Sequence, residues 1–145
     1  MSFLAKPAGT RRIVIDQITP SIDGGRHPFK RVVGDWVAFA AHAFADSHDL
    51  IQVELRIRKI NTQSGQGFPM GPRGNDEFEA TYRTDSIGLF EYEIAGVVDH
   101  FGSWYEGFQK KHQEGGPLDL ECRIGAELLE QAAKRANKKH AAKLL

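Results

Sequence analysis

Three groupings of side chains in this sequence invite a search for chemistry. Histidine occurs at His27, His42, His48, His100, His112 and His140. Neutral imidazoles are good zinc ligands when paired at short helical spacing or joined by cysteines. None of the six stands in an H-E-x-x-H pattern, and the single Cys122 cannot build a cysteine cluster or an internal disulfide. No metal site is assigned, and His42, inside an apolar run, reads as a hydrogen-bonded core or interface histidine. Asp46-Ser47-His48-Asp49 places a carboxylate, a hydroxyl and an imidazole side by side. A nucleophilic triad draws its members from separate segments around an oxyanion hole, so this contiguous cluster reads as a polar hairpin turn. The glycine-rich run GQGFPMGPRG contains no G-x-x-x-x-G-K-[ST] and has no strand–loop–helix setting, so it is a surface loop and not a phosphate cradle. No catalytic residue and no cofactor is assigned.

Aromatic side chains offer a different chemistry. Trp36 and Trp104, with Phe101 and Tyr105, could stack on the C–H face of a pyranose ring. Trp104 and its neighbours His100 and Tyr105 form the carbohydrate-binding candidate, with the indole as platform and the imidazole as hydrogen-bonding group. The competing role for such aromatics in a small sandwich is core packing. The basic run Lys134, Arg135, Lys138, Lys139 and Lys143 reads as a solvated face rather than a docking patch.

Composition limits the choices further. The 145 residues carry 19 Lys plus Arg and 19 Asp plus Glu, for a formal net charge of zero. A chain that neutralises many phosphates usually carries a basic excess, so nucleic acid is not the expected partner. Hydrophobic residues at 41% and charged residues at 26% fit an ordinary folded domain and argue against disorder. No apolar run reaches the ~20 residues of a membrane span, and the start lacks a signal-peptide core. A cytoplasmic protein without membrane contact is expected.

The elements that must position these residues are mostly strands. Ile13–Pro20 is a β-branched run closed by Ser21-Ile22-Asp23-Gly24-Gly25. Trp36–Phe44 (WVAFAAHAF), apolar with short side chains over nine residues, reads as a strand with both faces largely covered. Leu50–Ile60 alternates cleanly, with Ile51, Val53, Leu55 and Ile57 inward and Gln52, Glu54, Arg56 and Arg58 toward water. Thr62–Asp76 is dense in glycine and proline and reads as a loop with a short edge strand near Phe68. Two alternating strands follow, one on Phe78, Ala80 and Tyr82 and one on Phe90, Tyr92, Ile94 and Val98. Such short strands without helical crossovers predict a β-sandwich. After residue 99 a short helix near 103–113 is predicted, stopped by Gly115-Gly116-Pro117. A second helix spans 125–145 on a stripe of Leu129, Ala132, Ala133 and Ala136, and its continuity to the last residue suggests a chain cut from a longer protein.

Taken in order, these residues resemble a known family. Asp23-Gly24-Gly25-Arg26 with Pro28, Lys30 and Gly34-Asp35, then Phe44 and His48-Asp49, begin the series. It continues through Met70, Asn75-Asp76, Gly88-Leu89-Phe90-Glu91-Tyr92, Asp99-His100-Phe101, Trp104 and Gly125-Ala126-Glu127-Leu128-Leu129. The ordered set, from about residue 11 to residue 130, is similar to the N-terminal domain of bacterial α-1,4-glucan:maltose-1-phosphate maltosyltransferases, of the α-amylase (glycoside hydrolase 13) superfamily. Ser47 departs from the Gly that relatives commonly carry before His-Asp.

The resemblance implies a mainly β fold, an immunoglobulin-like β-sandwich followed by a C-terminal α-helical segment. Residues 1–10 would form a flexible N-terminus, 11–124 the sandwich with its short helix, and 125–145 the start of a helical insert. The parent enzyme would transfer maltosyl from α-maltose 1-phosphate to α-1,4-glucan ends with retention, chemistry that needs two carboxyl groups about 5 Å apart. In the family these lie on a catalytic (β/α)8 barrel, and no position here corresponds to them. The implied role is a non-catalytic dimerisation and scaffold domain, lying near the partner's active site in a homodimer. Its partners would be the remainder of the parent chain and a second copy. The alternative is a carbohydrate-binding module docking α-glucan through His100, Trp104 and Tyr105.

Overall fold

A computed structural model describes residues 13–46 and 48–136; the predicted flexible N-terminus at 1–10 and the stretch of predicted helix beyond 136 lie outside the described residues. The chain divides after Val98 into two compact units. The described residues from Asp99 onward are helix and connecting turn.

The first unit holds six strands: β1 (Ile13–Thr19), β2 (Trp36–Ala45), β3 (Ile51–Lys59), β4 (Gly65–Gly74), β5 (Glu77–Arg83) and β6 (Phe90–Val98). Their order is β1-β2-β5-β4-β3-β6, with every pairing antiparallel. The mainly β architecture expected from alternation is the one observed. Its core lies between the inner rows of β2 (Val37, Phe39, Ala43) and β3 (Val53, Leu55, Ile57), joined by Met70. Leu55 is 0% exposed. The inner row of β3 is thus the one that period-2 alternation selects, because a one-residue slip would turn every member outward. Edge-on contacts of Phe39 with Tyr92 (4.8 Å) and Phe68 with Tyr82 (5.6 Å) knit the two halves face to face. At Gly96 of β6 a Cβ would meet Ile13 Cγ2 at 3.0 Å, so a side chain there would crowd β1.

The largest difference from expectation is β4. Residues 62–76 contain no apolar alternation, yet Gly65–Gly74 forms a ten-residue strand. Positions 65–70 pair with β3, and 71–74 pair with β5. Each half therefore has a ladder on one side only, the setting in which Pro69 and Pro72 do least harm by lacking an N–H. Non-local pairing supplied by β3 and β5 overrides the local turn composition.

A second difference concerns Asp46–Asp49. Because β2 pairs with β1 and β5, while β3 pairs with β4 and β6, this segment links the two halves and is not a hairpin turn.

Loop 20–35 is held rather than free. Ile22 and His27 form an isolated bridge, and Asp23–Gly25 makes a 3-10 turn with Gly24 at φ 63°. Thr84 Oγ1 donates to Val32 O (2.6 Å), and Gly34 N–H donates to Thr84 O (2.8 Å). Phe29 packs on Phe39 and Tyr92. Tyr92 Oη donates to Pro20 O (2.6 Å), and burial pushes its phenol above the ordinary tyrosine value of 10.0.

The two outer faces differ from the sequence reading in opposite senses. Glu54, Arg56 and Arg58 were assigned to water, but they are half-buried in a ladder of ion pairs. Arg56 meets Glu54 at 2.6 Å and Glu93 at 3.7 Å, and Arg58 pairs with Glu91. Gly67 on β4 leaves room for the Glu54 carboxylate, which a Cβ would overlap. Conversely, β2 is covered on one face only. Its inner row is buried, while outward-facing Trp36 is 69% exposed and Phe44 is 41% exposed.

Candidate functional site

The carbohydrate candidates His100, Trp104 and Tyr105 all fall in the helical unit, on α1 (His100–Gln113), which is followed by α2 (Asp119–Arg135). Helix α1 starts three residues before the predicted boundary because Asp99 caps it. The Asp99 carboxylate accepts from Gly102 N–H (2.8 Å), and Ser103 Oγ donates to Asp99 O (2.7 Å). A capping carboxylate satisfies an orphan amide and suits the positive end of the helix dipole. Gly115, at φ 70°, and the Gly116 N–H to Lys111 O bond (3.0 Å) end it where the Gly-Gly-Pro signal places the stop. Helix α2 starts at Asp119, not at 125, with Asp119 and Glu121 in its first turn. Its less exposed side carries Leu129, Ala132 and Ala133 of the predicted stripe, and also Gly125, while Ala136 is the extended residue that ends the helix.

Trp104 is committed to the pairing of these helices. Its Nε1–H donates to the Glu121 carbonyl (2.9 Å), and its six-membered ring lies against Gly125, where any Cβ would overlap it. Gly125 therefore serves close approach, at the cost of a glycine inside a helix. Phe108 adds a ring contact at 5.4 Å, and Lys111 pairs with Glu121 across the two helices. An indole so placed has one face and its donor already occupied.

The other two candidates lie beside Trp104 on α1. His100 is exposed at the start of α1. Tyr105 lies five residues on, roughly 140° around the helix from it. Tyr105 stacks nearly parallel to Phe101, at 6.4 Å and 6°, and both rings are about half exposed. The structure thus joins Trp104 and Tyr105 (6.2 Å between rings), while exposed His100 stands one turn before Trp104, roughly 40° around the helix from it. Phe101 is the residue the sequence reading underused; its i,i+4 spacing to Tyr105 was the available signal. Lys110 pairs with Glu106 (2.8 Å), whose hydrogen bond and charge hold the ammonium above its ordinary value of 10.5.

Elsewhere, the carboxylates on the strands mostly face cations: Glu54 and Glu93 face Arg56, Glu91 faces Arg58, and Glu79 faces Arg73 at 2.9 Å. Among the described residues no group of three or more His, Cys, Asp or Glu could hold a metal ion. No helix among them is long and apolar enough to cross a membrane.

Six antiparallel strands followed by a tightly joined helix pair define a mainly β module with a helical appendage. Comparison with known proteins gives it a family. Residues 11–145 match the family model described as alpha-1,4-glucan:maltose-1-phosphate maltosyltransferase, domain N/S, and the chain belongs to that family. The maltosyltransferase of Chlorobaculum tepidum is 42% identical over 136 residues, covering 94% of this chain and 20% of the relative. Those of Methylacidiphilum infernorum and Salinibacter ruber are 38% and 32% identical, covering 85% and 90% of this chain. The chain spans about one fifth of the length of these relatives.

Proposed function

We propose that this chain is the non-catalytic dimerisation and scaffold domain of an α-glucan-synthesising maltosyltransferase of the α-amylase superfamily. The parent would act in the cytoplasm as a homodimer, moving maltosyl from α-maltose 1-phosphate to α-1,4-glucan ends. The observation that carries this reading is the family match over 11–145 in a chain that spans one fifth of its relatives. The sandwich-like strand order is compatible with the immunoglobulin-like fold that the family resemblance implies. The test is phosphate release from α-maltose 1-phosphate with maltohexaose as acceptor. The 145-residue chain should release no more than a heat-killed control, whereas the full-length protein should turn over. Release by the chain alone would overturn the non-catalytic reading.

A second reading keeps α-glucan as a ligand at His100, Trp104 and Tyr105. The parallel, half-exposed Phe101 and Tyr105 rings favour it; the commitment of Trp104 to α2 opposes it. Titration with maltoheptaose should shift amide signals over 100–105 if sugar stacks there. Unmoved signals at millimolar sugar would remove this reading.

A further inference from the structure

Strand β4 changes partners midway, pairing with β3 as far as Met70 and with β5 from Gly71 onward. At that end of the strand unit lies a cleft of about 1020 Å³, lined among others by Phe44, His48, Gln52, Asn75, Asp76 and Glu77. Backbone pairing fixes where these residues stand. Ala43 N–H donates to Asp76 O (2.8 Å), which holds the turn between β4 and β5 alongside the end of β2. Glu77 stands opposite His42 and therefore diagonal to Phe44 on the same face, within reach of a long side chain. Across the cleft, Gln52 stands opposite Val97. Asn75 and Asp76 both take left-handed backbone, at φ 50° and 62°, a conformation that Asn and Asp accept more readily than most residues. The turn is thus preset, and both side chains at its tip are exposed.

The chemistry of the lining selects a class of ligand. Phe44 is 41% exposed, and Leu50 and Val97 add apolar surface nearby. Among the described residues, the side chains of His48, Asn75, Asp76 and Glu77 make no hydrogen bond or ion pair. Carboxylates only accept, whereas an amide both donates and accepts, and a neutral imidazole offers one of each. An anion would face two carboxylates here. An apolar ridge would strip water from them without replacing it. A lysine-rich peptide would satisfy the carboxylates, but its side chains are donors only and leave the Asn75 N–H groups without an acceptor. A sugar ring answers the whole set: its hydroxyl rim donates and accepts, and its C–H face lies flat on an aromatic ring.

We infer that this cleft binds a neutral saccharide, with a pyranose face on Phe44 and ring hydroxyl groups shared among Asn75, Asp76 and Glu77. The site belongs to the strand unit and uses none of His100, Trp104 and Tyr105, which stand on α1. Binding is weak, because a single aromatic platform gives little area and the hydroxyl groups must give up water.

The test is titration of the 145-residue chain with maltoheptaose, followed through its backbone amide spectrum. Signals of residues 44, 48–52, 75–78 and 97 should move together and saturate at millimolar sugar. Phe44→Leu keeps an apolar side chain but removes the flat ring, and should weaken binding by about 5-fold, whereas Phe44→Tyr should retain it. Asn75→Gly removes the amide while glycine accepts the positive φ, and should weaken binding as well. It decides the matter should the Phe44 variants fail to fold. Unmoved signals in the cleft overturn the inference, as do shifts confined to 100–105 or an affinity unchanged in Phe44→Leu and Asn75→Gly. Stronger binding of tri-lysine than of maltoheptaose at the same signals also overturns it, since the cleft would then be a basic-peptide site. Phosphate release by the full-length protein tests a different claim, so either reading can fail while the other stands.

Discussion

Over β3 and β6 the outer face of the sandwich carries Glu54, Arg56, Arg58, Glu91 and Glu93, cross-linked as ion pairs, and the charges give out only at Ala95 and Val97. Over β2 the corresponding face carries a tryptophan, two alanines, a histidine and a phenylalanine. Both faces sit on one shared core, so the difference is not about how the sandwich holds together. A ladder of opposite charges pairs most of its own members and tolerates water, with Glu93 Oε1 alone among the described residues buried without a hydrogen bond. An apolar row has nothing to satisfy it except another apolar surface. One face carries its charges as ion pairs, and the other leaves Trp36 and Phe44 exposed among polar neighbours on β1 and β5.

The comparison can be broken at three depths. The deepest is Leu55, buried beneath the charged face. Leu55→Ala should destabilise the chain by about 2–5 kcal/mol in urea unfolding, because it leaves a cavity in a packed interior. A loss below about 1 kcal/mol would mean that the core is not where these strands meet. Next is Arg56, shared by Glu54 and Glu93. Arg56→Ala should cost about 1 kcal/mol at low salt, and the cost should shrink in roughly 1 M salt, as partly screened pairs do. A salt-independent cost would show that the arginine acts through its stem and not its charge. Smallest is Trp36. In the 145-residue chain Trp36→Ala should change stability by less than about 0.5 kcal/mol, since so exposed a side chain has little burial to lose. A larger loss would mean that the chain itself already covers the indole.

How far the sequence could be read follows from how local each signal is. Strand β3 was legible because Ile51, Val53, Leu55 and Ile57 repeat with the period of the pleat and polar residues fill the gaps. The stop after α1 was legible because Gly115 and Pro117 act on their own backbone. Strand β4 was not, because its residues carry turn chemistry and its strand geometry comes from neighbours distant in sequence. The start of α2 at Asp119 was missed for a related reason: Leu118 gives no side-chain cap, and the apolar stripe strengthens only past Gly125.

The candidate site shows the same division. The sequence by itself placed His100, Trp104 and Tyr105 close together along the chain and, through an ordered set of short motifs, placed the chain in its family. It determined the alternation of β3 and the apolar run of β2. Only the tertiary structure decided that Trp104 rests on Gly125, that β4 is split between two partners and that one apolar face of β2 stays open. Periodicity and capping are properties of a few consecutive residues, whereas which surface meets which depends on pairings closed across the whole chain.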